Sequence, residues 1–272
     1  MKIVREPAVA GMFYPANVSK LKSEIEAYLT SVNLEKTFEN IFGLISPHAG
    51  YAYSGKTAAF AYKTIQNKSY TTVVVISPSH REYFPSTSIY SGDSYKTPLG
   101  EIELDKEMIS KLIDEKSLIF EGVNGHRAEH ALEVQLPFLQ TVLDNFKLVP
   151  IVMGDQRKEF VIGLAEKLSK VVNGETLIVA SSDLSHFYSR KKANVLDSVV
   201  EDRISKFDYI GLLDDLEKQK CEACGGGPIA VLLKTAELKE INKVKVLSRI
   251  DSGDISGDIS EVVGYLSAVV FS

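Results

Sequence analysis

Three short apolar runs, each followed closely by a histidine in a serine-containing turn, constrain the fold of this chain more than any other feature. Runs of this length, rich in β-branched residues, are typical of buried strands. Pro47, directly after the first run, cannot donate to a sheet and ends the strand there. The runs and their histidines are residues 41–45 with His48, 73–76 with His80, and 177–180 with His186. We therefore expect three strands that each present a histidine just past the carboxyl end.

The repetition indicates a shared site. In an open α/β sheet, ligands bind beyond the carboxyl ends of the strands. If the three strands are parallel neighbours, His48, His80 and His186 converge on one edge of the sheet. Any one of these histidines alone would be interpreted as a packed side chain, but the pattern of three favours a site. The remaining histidines, His126 and His130, are close to each other in sequence and outside this pattern.

Strand and helix patterns alternate along the rest of the chain, which favours a parallel-rich sheet with helices on both faces. We predict one domain spanning residues 1–272, an α/β fold with a three-layer α/β/α sandwich, a largely parallel central sheet and short antiparallel additions. The second strand is expected to pair beside the first. The predicted strands are 41–46, 72–77, 147–153, 175–181, 244–250 and 262–271, with short antiparallel strands between 83 and 105. The predicted helices include 55–66, 106–115, 157–172, 189–206, 208–218 and 229–239, and a further helix is expected around Leu132, Leu136, Leu139 and Leu143 with a kink at Pro137.

Composition narrows the class of protein. The 272 residues carry a formal net charge of −5 and show no basic stripe, which argues against a nucleic-acid partner. No apolar segment approaches the ~20 residues of a membrane span, and the amino terminus lacks the apolar core of a signal peptide. With Cys221 and Cys224 as its two cysteines, the chain is expected to be cytoplasmic. Its oligomeric state is left open.

His48, His80 and Cys224 are the candidate metal ligands. Imidazole and thiolate suit iron, copper or zinc, whereas magnesium and calcium prefer oxygen. The three glycines after Cys224, with Pro228, predict a helix amino terminus whose dipole would lower the pKa of the thiol. On the residues alone, Cys224 is as consistent with an ordinary thiol as with a ligand, and Cys221 is interpreted as a bystander.

Asp183 and His186 are the candidate catalytic residues. They are three positions apart in a predicted turn, so a carboxylate that orients an imidazole could serve in proton transfer. The alternative is that Asp183 only caps a helix from residue 184 onward.

Glu129, His130 and Glu133 form a second candidate group. Their spacing would place the two carboxylates on one helix face, beside the ligands or along the cleft. The alternative is a helix-start cap with a surface glutamate. Tyr51, Tyr53 and Tyr83 are expected to give the cleft an uncharged approach.

The segment Gly50–Thr57 matches the phosphate-loop pattern G-x-x-x-x-G-K-[ST] between a strand and a helix. Two tyrosines occupy the stretch that would wrap the phosphates, and nucleotide binding would leave the histidine pattern unexplained. Nucleotide binding is therefore the weaker hypothesis.

Several longer motifs extend over most of the chain. They are Arg5-Glu-Pro-Ala-Val-Ala-Gly-Met-Phe-Tyr-Pro15, Ser46-Pro-His-Ala-Gly-Tyr-Ala-Tyr-Ser-Gly55, Ser77-Pro-Ser-His80, Thr97-Pro-Leu-Gly100, Glu129-His-Ala-Leu-Glu-Val-Gln-Leu-Pro137 and Ser181-Ser-Asp-Leu-Ser-His186. Together they resemble the Memo family, and the compact loops resemble those of archaeal or bacterial members. The resemblance implies a single Memo-like domain with a fold similar to class III extradiol ring-cleaving dioxygenases.

Those dioxygenases hold non-haem iron(II) with two histidines and a glutamate, and use another histidine as acid–base catalyst. The resemblance assigns His48 and His80 to the ligand histidines, His186 to the acid–base histidine, and Cys224 to the position of the glutamate. Thiolate in place of carboxylate favours copper or a different iron chemistry. Vertebrate members of the family are described as metal-dependent oxidation proteins and as adaptors for phosphotyrosine peptides. We therefore expect a metal-dependent oxidoreductase acting on a small molecule or peptide, with a non-catalytic binding module as the alternative.

Overall fold

The computed structural model describes residues 2–114 and 118–272. Within them the strands are β1 (Val4–Arg5), β2 (Ile41–Ser46), β3 (Thr72–Pro78), β4 (Thr87–Tyr90), β5 (Ser94–Thr97), β6 (Gly100–Glu103), β7 (Ile119–Gly122), β8 (Lys147–Met153), β9 (Thr176–Ser181), β10 (His186–Tyr188), β11 (Lys243–Asp251) and β12 (Val262–Phe271). The helices are α1 (Val18–Ser31), α2 (Tyr51–Lys63), α3 (Lys106–Leu112), α4 (Gln135–Val142), α5 (Lys158–Val171), α6 (Arg190–Ser205), α7 (Tyr209–Glu217), α8 (Gly226–Leu238) and α9 (Gly253–Ser256). The strand–helix alternation predicted from the sequence is confirmed.

A large mixed sheet forms the middle of the molecule. Its order in the described chain is β10-β12-β2-β9-β3-β8-β4-β7, and β11 also pairs with β12 in the antiparallel sense. The four central strands β2, β9, β3 and β8 are parallel, whereas β12 and β4 flank them in the antiparallel sense. The strands β1, β5 and β6 form a separate small sheet.

Helices cover both faces of this sheet. Every residue of β2, β3 and β9 is buried, as expected of parallel strands covered on both faces. Helix α2 contacts α1 and α4, while α8 contacts α5 and α7 and also packs on β2, β3 and β9. One continuous hydrophobic cluster joins strands and helices. The fold is therefore α/β, with one domain built around the large sheet.

The strand order differs from the prediction at one place. The sequence predicted β3 beside β2, but β9 lies between them, and Ala180 is in register with both Ile45 and Ile76. Sequential strands are not obliged to pair, and the wholly buried β9 has both edges available for a parallel neighbour. The three histidine-bearing strands are nevertheless adjacent and parallel.

Two helix starts also differ from the prediction. Helix α2 begins at Tyr51 rather than at residue 55, so the segment Gly50–Thr57 is the first two turns of a helix and not a loop around phosphates. Helix α4 begins at Gln135 and ends before Leu143, which places Pro137 in the first turn. There its missing N–H costs no helical hydrogen bond, so no kink is needed. None of the helices in residues 2–114 and 118–272 is long and apolar enough to cross a membrane.

Candidate metal centre

His48, His80 and Cys224 come together beyond the carboxyl ends of β2 and β3. One potential ligand atom from each residue lies within 4.8 Å of the other two. The imidazole centroids are 5.2 Å apart, and Cys224 Sγ lies 3.1 Å from His48 Nε2. His48 is buried, Cys224 is half-buried and His80 is exposed, so a ligand can approach this His/Cys cluster from the His80 side.

A buried hydrogen-bond network fixes which nitrogen of His48 carries the proton. Gln135 Nε2 lies 3.0 Å from the carbonyl of Pro47 and 2.7 Å from Ser181 Oγ. The Ser181 hydroxyl donates to the Ala131 carbonyl at 2.7 Å, so its lone pairs accept from Gln135 and from His48 Nδ1 at 2.9 Å. The neutral imidazole of His48 therefore carries hydrogen on Nδ1 and presents the lone pair of Nε2 to Cys224 Sγ.

His80 is oriented in the same way by Glu129. The buried carboxylate accepts from His80 Nδ1 at 2.9 Å and from the His80 backbone N–H at 2.6 Å. It also accepts from the backbone N–H groups of His130 and Ala131. Burial alone would raise the pKa of Glu129, but the hydrogen bonds from His80 and Ala131 hold it at about 2. Glu129 is thus an anion that directs His80 Nε2 toward the cluster, and its oxygens are already occupied by donors.

The pKa expected for Cys224 is wrong for the metal-free protein. Helix α8 begins at Gly226 with Gly225 as its cap, so the thiol precedes the first turn of the helix. Burial, reinforced by the nearby Asp183 carboxylate, raises the pKa of Cys224 instead of lowering it. Burial also lowers the pKa of His48, with His80 adding to the shift. The pair is therefore a neutral thiol beside a neutral imidazole.

The hydrogen bonds of Asp183 are made to other residues than His186. Its Oδ1 accepts from the backbone N–H of His48 at 2.7 Å, and its own N–H donates to Cys224 Sγ at 3.2 Å. Residues 182–185 are not helical, so the alternative in which Asp183 caps a helix from residue 184 onward is wrong. His186 begins β10 opposite Val263, is half-buried, and interacts electrostatically with both His48 and Asp183. Asp183 therefore holds the His48 turn, and His186 lies beside the cluster.

His130 lies near the His/Cys cluster, as its candidate place beside the ligands predicted, and apart from its sequence neighbour His126. Its ring centroid lies 4.7 Å from that of His80 and 5.4 Å from that of His48. Its Nδ1 is buried 3.2 Å from Glu129 Oε1 without hydrogen-bond geometry. Burial, together with the nearby His48, lowers the pKa of His130 to about 4. His80, Glu129 and His130 also satisfy the distance limit for a metal group.

His126 is a structural residue. Its Nε2 faces the Ser88 carbonyl at 3.3 Å and its Nδ1 faces the Tyr95 hydroxyl at 2.6 Å. Burial lowers its pKa to about 3. The imidazole is therefore neutral, and it packs in the core apart from the His/Cys cluster.

The helix face predicted for Glu129 and Glu133 does not exist, because α4 begins only at Gln135. Glu133 instead pairs with buried Arg5 and accepts from the Tyr14 hydroxyl. Arg5 also donates to the Glu129 carbonyl at 2.7 Å. The amino-terminal segment that contains Arg5 and Tyr14 thereby stabilises the loop that carries Glu129.

The tyrosines expected at the cleft divide into two kinds. Tyr51 is 1% exposed and donates to the Val134 carbonyl, so its placement in the cleft is wrong. Tyr53 and Tyr83 are exposed, and the Tyr83 hydroxyl donates to Asp155 at 3.2 Å. Tyr51 faces inward because it packs on Tyr14 and Phe138.

Sequence reasoning missed Ser181, Gln135 and Arg5 as supports of the site. All three lie inside the long motifs, and that was the only signal available. The donor set itself, two imidazole nitrogens and one sulfur, fits iron, copper or zinc and not magnesium or calcium.

Comparisons with known proteins agree with the motifs. The family model for Memo-like protein matches residues 5–269. A MEMO1 family protein of Thermoplasma volcanium is 36% identical over 269 residues, covering 98% of both chains. One from Sulfurisphaera tokodaii is 38% identical over 281 residues, covering 97% of this chain and 98% of its own.

A solved structure supports the fold alone. An uncharacterized protein from Escherichia coli K12 superposes with a TM-score of 0.54 at 11% identity, covering 85% of this chain and 99% of its own. The family match and the archaeal relatives extend over nearly the whole sequence. This chain therefore belongs to the Memo-like protein family.

Proposed function

We propose that this protein binds one transition metal ion through His48 Nε2, His80 Nε2 and Cys224 Sγ. Iron or copper is the preferred ion, and zinc is the alternative. The observation that carries the proposal is that both imidazoles have Nδ1 hydrogen-bonded, to Ser181 and to Glu129, leaving Nε2 of each for a ligand role. Such partners of a ligating histidine set its tautomer and orientation.

The proposed activity is that of an oxidoreductase acting on a small molecule or peptide that enters from the exposed His80 side. A bound iron or copper ion would supply one-electron redox chemistry. Asp183 would hold the His48 turn in place, as its hydrogen bond to the His48 N–H suggests. His186, half-buried beside the cluster, is the candidate proton carrier for this chemistry.

Metal analysis of protein purified without oxygen tests the binding proposal. Cys224→Ser should lose affinity for iron or copper by at least ~10-fold, the lower end of what a change around a metal site produces. Cys221→Ser is the matched control, because Cys221 is a buried thiol in the same C-x-x-C segment and outside the His/Cys cluster. Equal metal content in the two variants would contradict the proposed ligand set.

Oxygen consumption separates catalysis from simple binding. The metal-loaded wild type should consume oxygen in the presence of a reductant, and Cys224→Ser should not. Metal binding without any oxygen consumption would instead favour the non-catalytic module that uses the same cleft.

A further inference from the structure

Gln156 bridges the two ends of the glycine-rich turn that carries Cys224. It lies between β8 and α5. Its Nε2 donates to the Cys224 carbonyl at 2.8 Å, and its Oε1 accepts from the Gly227 N–H at 2.7 Å. A carbonyl can only accept and a backbone N–H can only donate, so the two partners fix the direction of the amide.

The turn depends on such contacts because it has few side chains of its own. Gly225, Gly226 and Gly227 follow Cys224 directly. A side chain at Gly225 would begin 2.1 Å from the Ser181 carbonyl oxygen, and one at Gly227 would begin 2.8 Å from Gln156. The backbone of the turn is therefore in close contact with neighbours on two sides, and these positions have no room for a larger side chain.

Two loops make hydrogen bonds to Cys224 and its neighbour Gly225: the segment after β9 and the loop between β8 and α5. On one side, Asp183 N–H donates to the sulfur, the Cys224 N–H donates to the Asp183 carbonyl at 3.3 Å, and the Gly225 N–H donates to Ser182 Oγ at 3.0 Å. On the other side, the Gln156 amide holds the Cys224 carbonyl. Hydrogen bonds from both loops therefore converge on the residue that approaches His48 Nε2.

We propose that Gln156 is a positioning residue for the metal centre: through the Cys224 carbonyl and the Gly227 N–H, it fixes the sulfur at the distance from His48 that metal binding requires. The inference rests on the proposed function, since it concerns the same ligand set. The β8–α5 loop would then control how strongly Cys224 Sγ binds the metal.

Cobalt(II) is a suitable probe, because a thiolate ligand gives it a charge-transfer absorption that histidine ligands do not give. Gln156→Ala removes both hydrogen bonds. Gln156→Glu keeps the size and the acceptor for Gly227, but it cannot donate to the Cys224 carbonyl. Both variants should bind cobalt(II) about 10-fold more weakly, with a reduced charge-transfer band per bound ion.

Gln140→Ala is the matched control. The Gln140 amide also bridges two partners, accepting from the Thr97 hydroxyl and donating to the Gly100 carbonyl at 3.1 Å, but it does so at the β5–β6 hairpin. Its loss should leave the affinity and the band unchanged. Thermal unfolding of each metal-free variant reports any general loss of stability.

The outcomes distinguish the two proposals. A wild type without a charge-transfer band would overturn the proposed function itself. A wild-type band that persists at full strength in Gln156→Glu would overturn the positioning role and leave the proposed function standing. If Gln156→Ala fails to fold, Gln156→Glu decides, and a lower unfolding temperature with an intact band would also overturn the inference.

Discussion

Replacing Ser181 by alanine is the sharpest perturbation of the network that orients His48. The Ser181 hydroxyl is wholly buried at the end of β9 and takes part in three hydrogen bonds. Without it, His48 Nδ1–H loses its acceptor and the Ala131 carbonyl loses its donor. The Gln135 amide N–H loses its shortest contact and keeps the carbonyls of Pro47 and Ser46. The change therefore acts on the tautomer of a proposed ligand without touching the ligand.

The expected cost follows from the number of bonds removed. Each buried hydrogen bond contributes about 1 kcal/mol net, so Ser181→Ala should lower the free energy of unfolding by about 3 kcal/mol. Metal affinity should fall by at least ~10-fold, as it does when the hydrogen-bond partner of a ligating histidine is removed.

Ser77→Ala is the matched control, because Ser77 is an equally buried serine near the carboxyl end of the neighbouring strand β3. Within the described chain its Oγ has no hydrogen-bond partner. Urea unfolding of the metal-free proteins should show no loss of stability for this variant. If Ser181→Ala lost no more stability and no more metal affinity than Ser77→Ala, the network would not orient His48.

Three further changes test other parts of the structure. Burial holds the pKa of His126 at about 3, so below about pH 6.5 the unfolded chain binds a proton at this residue and the folded chain does not. The free energy of unfolding should therefore fall toward pH 3 by up to ~1.4 kcal/mol per pH unit. In urea unfolding at a series of pH values, His126→Gln should make this slope smaller. Arg5→Met leaves a buried carboxylate without its cation and should cost about 3–5 kcal/mol, whereas Lys96→Met removes an exposed ion pair and should cost less than about 1 kcal/mol in the same assay. Gly225→Ala places a methyl group against a carbonyl oxygen, so it should lower the free energy of unfolding by about 1–3 kcal/mol and cause loss of metal. Gly174→Ala, where the added carbon meets nothing within 4 Å, should change neither thermal unfolding nor metal content. Equal effects in the two glycine variants would show that close packing at the turn is unimportant.

The central strands could be predicted from the sequence because their signals are local. Strand β2 begins and ends where its apolar run predicted, at Ile41 and Ser46, and β8 matches its predicted bounds. Parallel strands place their carboxyl ends at one edge, so the approach of His48 and His80 followed from the pattern. The position of β9 between the other two strands did not, because a strand's partners depend on the path of the whole chain.

The surroundings of the site could not be predicted, because they depend on contacts between distant residues. Glu129 and His130 approach His80 from a loop that Arg5 and Glu133 fix across 128 positions of sequence. No periodicity encodes that contact. The expected low pKa of Cys224 failed for a related reason: the helix start is visible in the sequence, but the burial that outweighs the dipole is visible only in the fold.

Anomalous scattering from crystals grown with zinc, copper or iron tests the central claim most directly. We expect one strong peak bounded by His48 Nε2, His80 Nε2 and Cys224 Sγ, and its loss in Cys224→Ser. A peak between His80, Glu129 and His130 instead, persisting in Cys224→Ser, would contradict the assignment of the sulfur as a ligand.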